Sequence, residues 1–263
     1  MTPPKISFEF FPPKNLKASF RLWDTVQVLA PLEPRFISVT YGAGGTTRGP
    51  TRDAVSTLHK SSGLRVAAHL TCVNSSRQET LAVADSFAAT GISDIIALRG
   101  DPPKGVTNFT PHPDGFQNSI ELITVLAQSG TFTLRVAAYP EGHPEAESIS
   151  ADIAFLKRKI DAGASEALTQ FFFSRPKHFC DFATLATRLG LRFRSRPVFC
   201  RLKTGRARGA LPKHVMPTCR LGSATRSQKP SATAAKTSWQ LQSVPNYVHN
   251  CWMKVWICCI STH

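Results

Sequence analysis

Two carboxylates and a histidine stand out from the apolar runs that surround them. Glu9 is alone among aromatics in Ser7-Phe8-Glu9-Phe10-Phe11, before Pro12-Pro13. A carboxylate in such surroundings tends toward a raised pKa, which keeps a general acid protonated near neutrality; the alternative is a glutamate at a wet strand edge. Asp101 ends the run Asp94-Ile95-Ile96-Ala97-Leu98-Arg99-Gly100-Asp101, and Pro102-Pro103 stops it. A strand covered on both faces would thus deliver a carboxylate to the rim of a sheet, where parallel α/β proteins keep their chemistry. In that stretch alone an ordinary turn reads equally well. His69 follows small residues within 65–72, where a packed, hydrogen-bonded histidine is the usual outcome and a ligand contact the rarer one. Asp152 near the start and Arg158 and Lys159 near the end of one helical stretch suit the helix dipole.

Repeating βα units are needed to bring these residues together. Stretches 6–13, 36–45, 65–72, 94–103, 134–138 and 167–173 read as strands with the turns that close them, and 20–29, 51–61, 78–90, 118–128, 150–162 and 179–189 as helices. The glycines at 42–45 lack the spacing of a dinucleotide fingerprint or a phosphate loop. The proline-rich loop 102–115 is long enough to be a lid or binding loop. Six strands alternating with helices at roughly 30-residue spacing predict an α/β fold of the (β/α)8 TIM-barrel type. It is incomplete, because two strands are owed and residues 192–263 do not supply them.

The formal net charge of +15 is unevenly spread. Residues 1–191 carry 19 Lys and Arg against all 17 acids, whereas residues 192–263 carry 13 Lys and Arg and no acid. At ordinary composition an acid-free run of that length arises on the order of once in ten thousand. Five of the seven cysteines fall in the same tail without zinc-ligand or disulfide-scaffold spacing, so no metal is expected. No export signal or membrane-length apolar run is read, and the expected location is the cytoplasm.

The ordered motifs resemble methylenetetrahydrofolate reductase over residues 5 to about 191. They include Phe8-Glu9-Phe10-Phe11-Pro12-Pro13, Ser38-Val39-Thr40-Tyr41-Gly42-Ala43, His69-Leu70-Thr71-Cys72 and Leu98-Arg99-Gly100-Asp101. Ala138-Tyr139-Pro140-Glu141, His143-Pro144-Glu145-Ala146, Leu156-Lys157-Arg158-Lys159, Asp161-Ala162-Gly163-Ala164 and Thr169-Gln170-Phe171-Phe172 continue the series. The resemblance implies a TIM barrel that holds FAD at the C-terminal ends of its strands. NAD(P)H would reduce the flavin, and 5,10-methylenetetrahydrofolate would reoxidise it to give 5-methyltetrahydrofolate for one-carbon metabolism and methionine biosynthesis. It implies Glu9 as general acid, Asp101 beside both flavin and pterin, and Gln170 on the pterin. FAD contacts fall at Thr40, Tyr41, Ala43, His69, Arg99, Gly100, Asp101, Tyr139, His143, Ala146, Asp152, Arg158 and Lys159. Phe155 departs, since some members place an asparagine there against the cofactor. The intact enzyme is expected to be a homo-oligomer without nucleic-acid or membrane partners.

The tail reads as a shifted frame. Codons for residues 250–263 taken one base earlier force or permit Leu-Leu-Asp-Glu-Gly-Val-Asp-Leu-Leu-His-Phe-Tyr-Thr, which resembles the family's last helix and eighth strand. Around residues 198–201 the same shift permits a counterpart of the seventh strand. The expected organisation is therefore a truncated reductase domain, 1–191, and a basic, poorly ordered, out-of-frame tail, 192–263. A nucleic-acid-binding arm is the competing reading of the tail.

Overall fold

The computed structural model describes residues 6–41, 48–102, 105–106, 109–170 and 176–191, together with short strands at 199–200, 253–256 and 259–261. Six parallel strands follow one another in the sheet in chain order: β1 (Ser7–Phe10), β2 (Phe36–Val39), β3 (Val66–Thr71), β4 (Asp94–Leu98), β5 (Thr133–Ala138) and β6 (Glu166–Thr169). Each is followed by a helix: α1 (Leu16–Leu29), α2 (Arg48–Ser62), α3 (Arg77–Ala89), α4 (Ser119–Gln128), α5 (Ile149–Asp161) and α6 (Pro176–Arg188). Helix starts are written locally. Asn15, Ser76, Asn118 and Ser148 cap α1, α3, α4 and α5 through their side chains, and Ser76 with Glu79 forms a reciprocal capping box.

The two faces of the sheet differ. Because side chains alternate along a strand, Phe8 and Phe10, Ile37 and Val39, Ala68 and Leu70, Ile95 and Ala97, and Leu134 and Val136 share one face. They pack there with residues of all six helices, including Val26, Val55, Phe87, Leu122, Ile153 and Phe182. Among the described residues the opposite face meets no helix. Its apolar cluster is confined to Phe36, Ala67, Ile96 and Leu168, with Leu98 against it. A doubly wound sheet would carry helices on both faces and reverse its strand order, whereas helices on one face of a sequentially ordered parallel sheet are barrel architecture. The incomplete (β/α)8 fold is thus observed, with the helix-free face as its interior.

One expectation is corrected. With parallel strands seven and eight missing, β1 and β6 should have ended as open edges. Instead β8 (Met253–Trp256) pairs antiparallel with β1, β9 (Cys259–Ser261) pairs antiparallel with β6, and β7 (Phe199–Cys200) pairs antiparallel with β8. An edge of free N–H and C=O groups templates any strand-competent segment, and the apolar end of the tail, with Val255, Trp256 and Ile260, has that composition. The remainder of the tail lies outside the described residues.

Candidate functional site

A cleft of about 860 Å³ opens at the C-terminal ends of the parallel strands, within the span of about 300–1,000 Å³ usual for small-molecule sites. Each of the six parallel strands contributes to it, directly or through the residue that follows it. Glu9, Thr40, His69, Thr71, Leu98, Ala137 and Gln170 come from the interior face or its extension, and Arg99, Gly100, Asp101, Tyr139, His143, Glu145 and Ala146 from the loops that follow. A smaller hollow of about 350 Å³ adjoins it and shares Asp101, Tyr139, His143, Glu145 and Gln170.

Glu9 and His69 form its buried floor. Glu9 is 3% exposed, and its Oε2 lies 3.3 Å from His69 Nε2. This is a charge-distance approach rather than an aligned hydrogen bond, because His69 Nε2 has no hydrogen-bond partner. The wet-edge reading of Glu9 is excluded by this burial. Ser38 Oγ, Thr71 Oγ1 and Thr169 Oγ1 are also buried without partners, which costs about 1–3 kcal/mol per group unless something fills the need.

One cation and one acid of the rim are paired directly. Arg99 donates from Nη1 and Nη2 to Glu145 at 2.5 and 2.8 Å, and its guanidinium lies 4.4 Å over the Phe109 ring. This bidentate contact holds the Glu145 carboxyl below its usual range. Lys159 is 7% exposed, with its Nζ donating to the Ala137 carbonyl at 3.1 Å. Burial lowers its pKa to about 8, opposed by the charge of Asp152. Burial in turn raises Asp152, whose Oδ2 accepts the His143 backbone N–H at 3.1 Å. Tyr139 is raised by burial and then by Asp101 and Asp152, and its ring meets His143 edge-on at 4.7 Å. Gly100 has φ +90°, and a Cβ there would lie 2.5 Å from Val73 Cγ1, so only glycine lets β4 turn out at this point.

The cleft gathers Glu9, Thr40, Tyr41, His69, Arg99, Gly100, Asp101, Tyr139, His143, Ala146, Asp152, Lys159 and Gln170 from the sequence-based set. Arg158 is not in its wall; its guanidinium lies 5.6 Å over Phe155. Ala43 lies outside the described residues. Sequence reasoning passed over Thr71, Phe109 and Glu145 as site residues. Thr71 carried a faint signal as a hydroxyl closing an apolar strand, but Glu145 carried none, because its partner is 46 residues away.

The set suits a dinucleotide such as FAD. Three cations, Lys14, Arg99 and Lys159, face the cleft, the N-terminus of α4 borders it through Asn118 and Ser119, Gly100 admits a close backbone approach, and the partnerless Thr71 hydroxyl lines it. Among the described residues no group of three or more metal-ligating side chains is placed to hold a metal ion, and no helix is long and apolar enough to cross a membrane.

The family model of methylenetetrahydrofolate reductase matches residues 2–200. A 5,10-methylenetetrahydrofolate reductase of Pectobacterium carotovorum subsp. carotovorum is 44% identical over 168 residues, covering 64% of this chain and 54% of its own. The protein of the same name from Escherichia coli (strain K12) is 43% identical over 168 residues, 64% of this chain and 55% of its own. Methylenetetrahydrofolate reductase (NADH) 1 of Arabidopsis thaliana is 35% identical over 178 residues, 64% of this chain and 30% of its own. The chain thus spans about half the length of the bacterial relatives it matches.

Proposed function

Since the chain belongs to the methylenetetrahydrofolate reductase family, we propose that its reading frame encodes an FAD-dependent enzyme reducing 5,10-methylenetetrahydrofolate to 5-methyltetrahydrofolate with NAD(P)H. The observation that carries this reading is the buried Glu9 beside His69 at the floor of a cleft whose rim bears Asp101 and Gln170. Bound FAD would supply two-electron hydride chemistry. Arg99 and Lys159 would hold its anionic part, and Thr40, Tyr41, Tyr139, His143 and Asp152 would shape its seat, joined by Ala43 and Arg158 if the family's contacts carry over. Asp101 and Gln170 hold the pterin. Glu9, buried at the floor, would donate a proton to the bridge nitrogen of the folate as the methylene carbon becomes an iminium. A cytoplasmic homo-oligomer without nucleic-acid or membrane partners completes the reading.

Glu9→Gln in a frame-restored protein should slow folate-dependent reoxidation of the flavin by roughly 10²–10⁴, while reduction by NAD(P)H stays nearly unchanged in stopped-flow bleaching. Equal loss in both half-reactions would sink the assignment.

The acid-free composition of residues 192–263 favours a second reading of the chain as written. In it, residues 1–191 are a truncated reductase domain, and the out-of-frame tail leaves an inactive remnant. Restoring the frame near codons 190–193 should turn a colourless, inactive product into a yellow, active enzyme. Stoichiometric FAD with normal turnover from the unaltered chain would overturn that consequence.

A further inference from the structure

Arg99 faces the cleft with its charge already answered. Its two terminal nitrogens are spent on both oxygens of Glu145, and its plane is laid on Phe109. The three residues come from different segments: the end of β4, the loop after it and the loop between β5 and α5. All three line the cleft, and Glu145 also lines the adjoining hollow. Lys159, the buried cation of the wall, is held differently, by a backbone carbonyl inside the fold. Glu145 is instead a half-exposed surface side chain, with 49% of its side-chain surface open to water against 22% for Arg99. Such a carboxylate can swing into solvent at little cost, whereas Arg99 cannot follow without leaving Phe109.

We infer that Glu145 is an internal counter-anion that occupies the guanidinium of Arg99 until an organic diphosphate displaces it, so that Glu145 sets the affinity of the cleft for its ligand. The inference rests on the cleft receiving an anionic dinucleotide, as in the proposed function. A carboxylate and a diphosphate compete for the same planar fork of N–H donors, since both accept two parallel hydrogen bonds from it. The exchange trades one charge-assisted pair for another. Its net cost is the loss of a rim salt bridge, and Glu145 also repels the incoming anion while it stays near. Removing the carboxylate therefore leaves Arg99 free on its aromatic shelf and strengthens diphosphate binding. In this role Glu145 is a positioning residue that sets specificity by competition, not a catalytic one.

The experiment is calorimetric titration of the full chain with ADP, comparing the unaltered protein with Glu145→Gln, Arg99→Met and the double variant. Glu145→Gln should bind ADP about fivefold tighter, Arg99→Met should bind it more weakly, and the double variant should match Arg99→Met because the gain acts only through the guanidinium. Thermal melts should agree among the four, since both side chains are at the surface. Unchanged or weaker binding by Glu145→Gln would overturn the inference, as would a gain that survives in the double variant or an absence of ADP binding by all four proteins. A yellow protein without folate-dependent reoxidation would break the reductase reading and leave this comparison standing.

Discussion

The interior face of the sheet carries charged and polar side chains at both ends, and the ends treat them in opposite ways. At the N-terminal end Arg135, 1% exposed, donates to Asp94 and, at 2.8 Å, to Glu166. Arg65 reaches Asp94 with two hydrogen bonds at 2.5 and 2.9 Å, and Arg35 pairs with Glu166. Phe36 lies 4.4 Å beneath the Arg135 guanidinium. Buried carboxylates and buried guanidinium are thus answered by one another. At the C-terminal end Ser38, His69 and Thr71 hold buried polar atoms with no partner. A closed set of charges holds the strands in register, while an open set of donors and acceptors is a demand that a ligand can meet. The difference separates what keeps this sheet folded from what equips it to bind.

The comparison is broken most severely at its closed end. Arg135→Met should leave Asp94 and Glu166 buried with their central counter-charge gone, a loss of about 3–5 kcal/mol. That is a large share of a typical folding free energy, and urea denaturation should show the midpoint collapsing. Loss of less than about 1 kcal/mol would mean that the cluster does not hold the strands.

Lys159 gives the next largest effect, through pH. Its pKa falls from 10.5 to about 8 because burial disfavours the ammonium. Between these values the unfolded chain binds more protons than the folded one, so stability rises with pH across the window. It is fully present above the unfolded value and lost as pH falls through about 8. Denaturant titrations between pH 7 and 10.5 should record a gain of up to about 3 kcal/mol, absent from Lys159→Met, while diphosphate binding should weaken over the same range as the positive charge disappears.

Thr71→Val tests the open end directly. Replacing a buried, partnerless hydroxyl by a methyl of similar shape should stabilise the ligand-free protein by about 1 kcal/mol and reduce ligand affinity. Stability and binding moving in the same direction would show that the hydroxyl is not part of the site. The smallest effect is expected away from both ends. Arg77 and Glu121 form an exposed ion pair between α3 and α4, and Arg77→Gln should cost less than about 1 kcal/mol in the same melts.

Much of the scaffold was legible before any tertiary contact was known. Each strand and helix anticipated from apolar runs and breakers is present, with shifts at its ends. The strand expected at 167–173 is described as β6 only from Glu166 to Thr169, and α1 begins at Leu16 rather than at residue 20. The candidate acids were legible because Glu9 interrupts one apolar run and Asp101 ends another. The closed cluster was not, since Arg135 pairs with residues 41 and 31 positions away, and a lone arginine inside a strand carries no mark of its partners. The antiparallel edge pairing of β8 and β9 was missed for the same reason: an edge recruits a segment by backbone groups that every sequence has.

By itself the sequence determined the order of the βα units, the alternation that gives each strand two unlike faces, the caps that start the helices and the family whose motifs occur in order. These depend on near neighbours and on the periods of strand and helix, which are written along the chain. Tertiary structure alone decided which face became the interior, that Glu9 is buried beside His69, that Arg99 is held by Glu145, and that Lys159 is desolvated enough for its pKa to fall to about 8. Each of these follows from distance and burial, which come into existence only when strands far apart in the chain lie side by side.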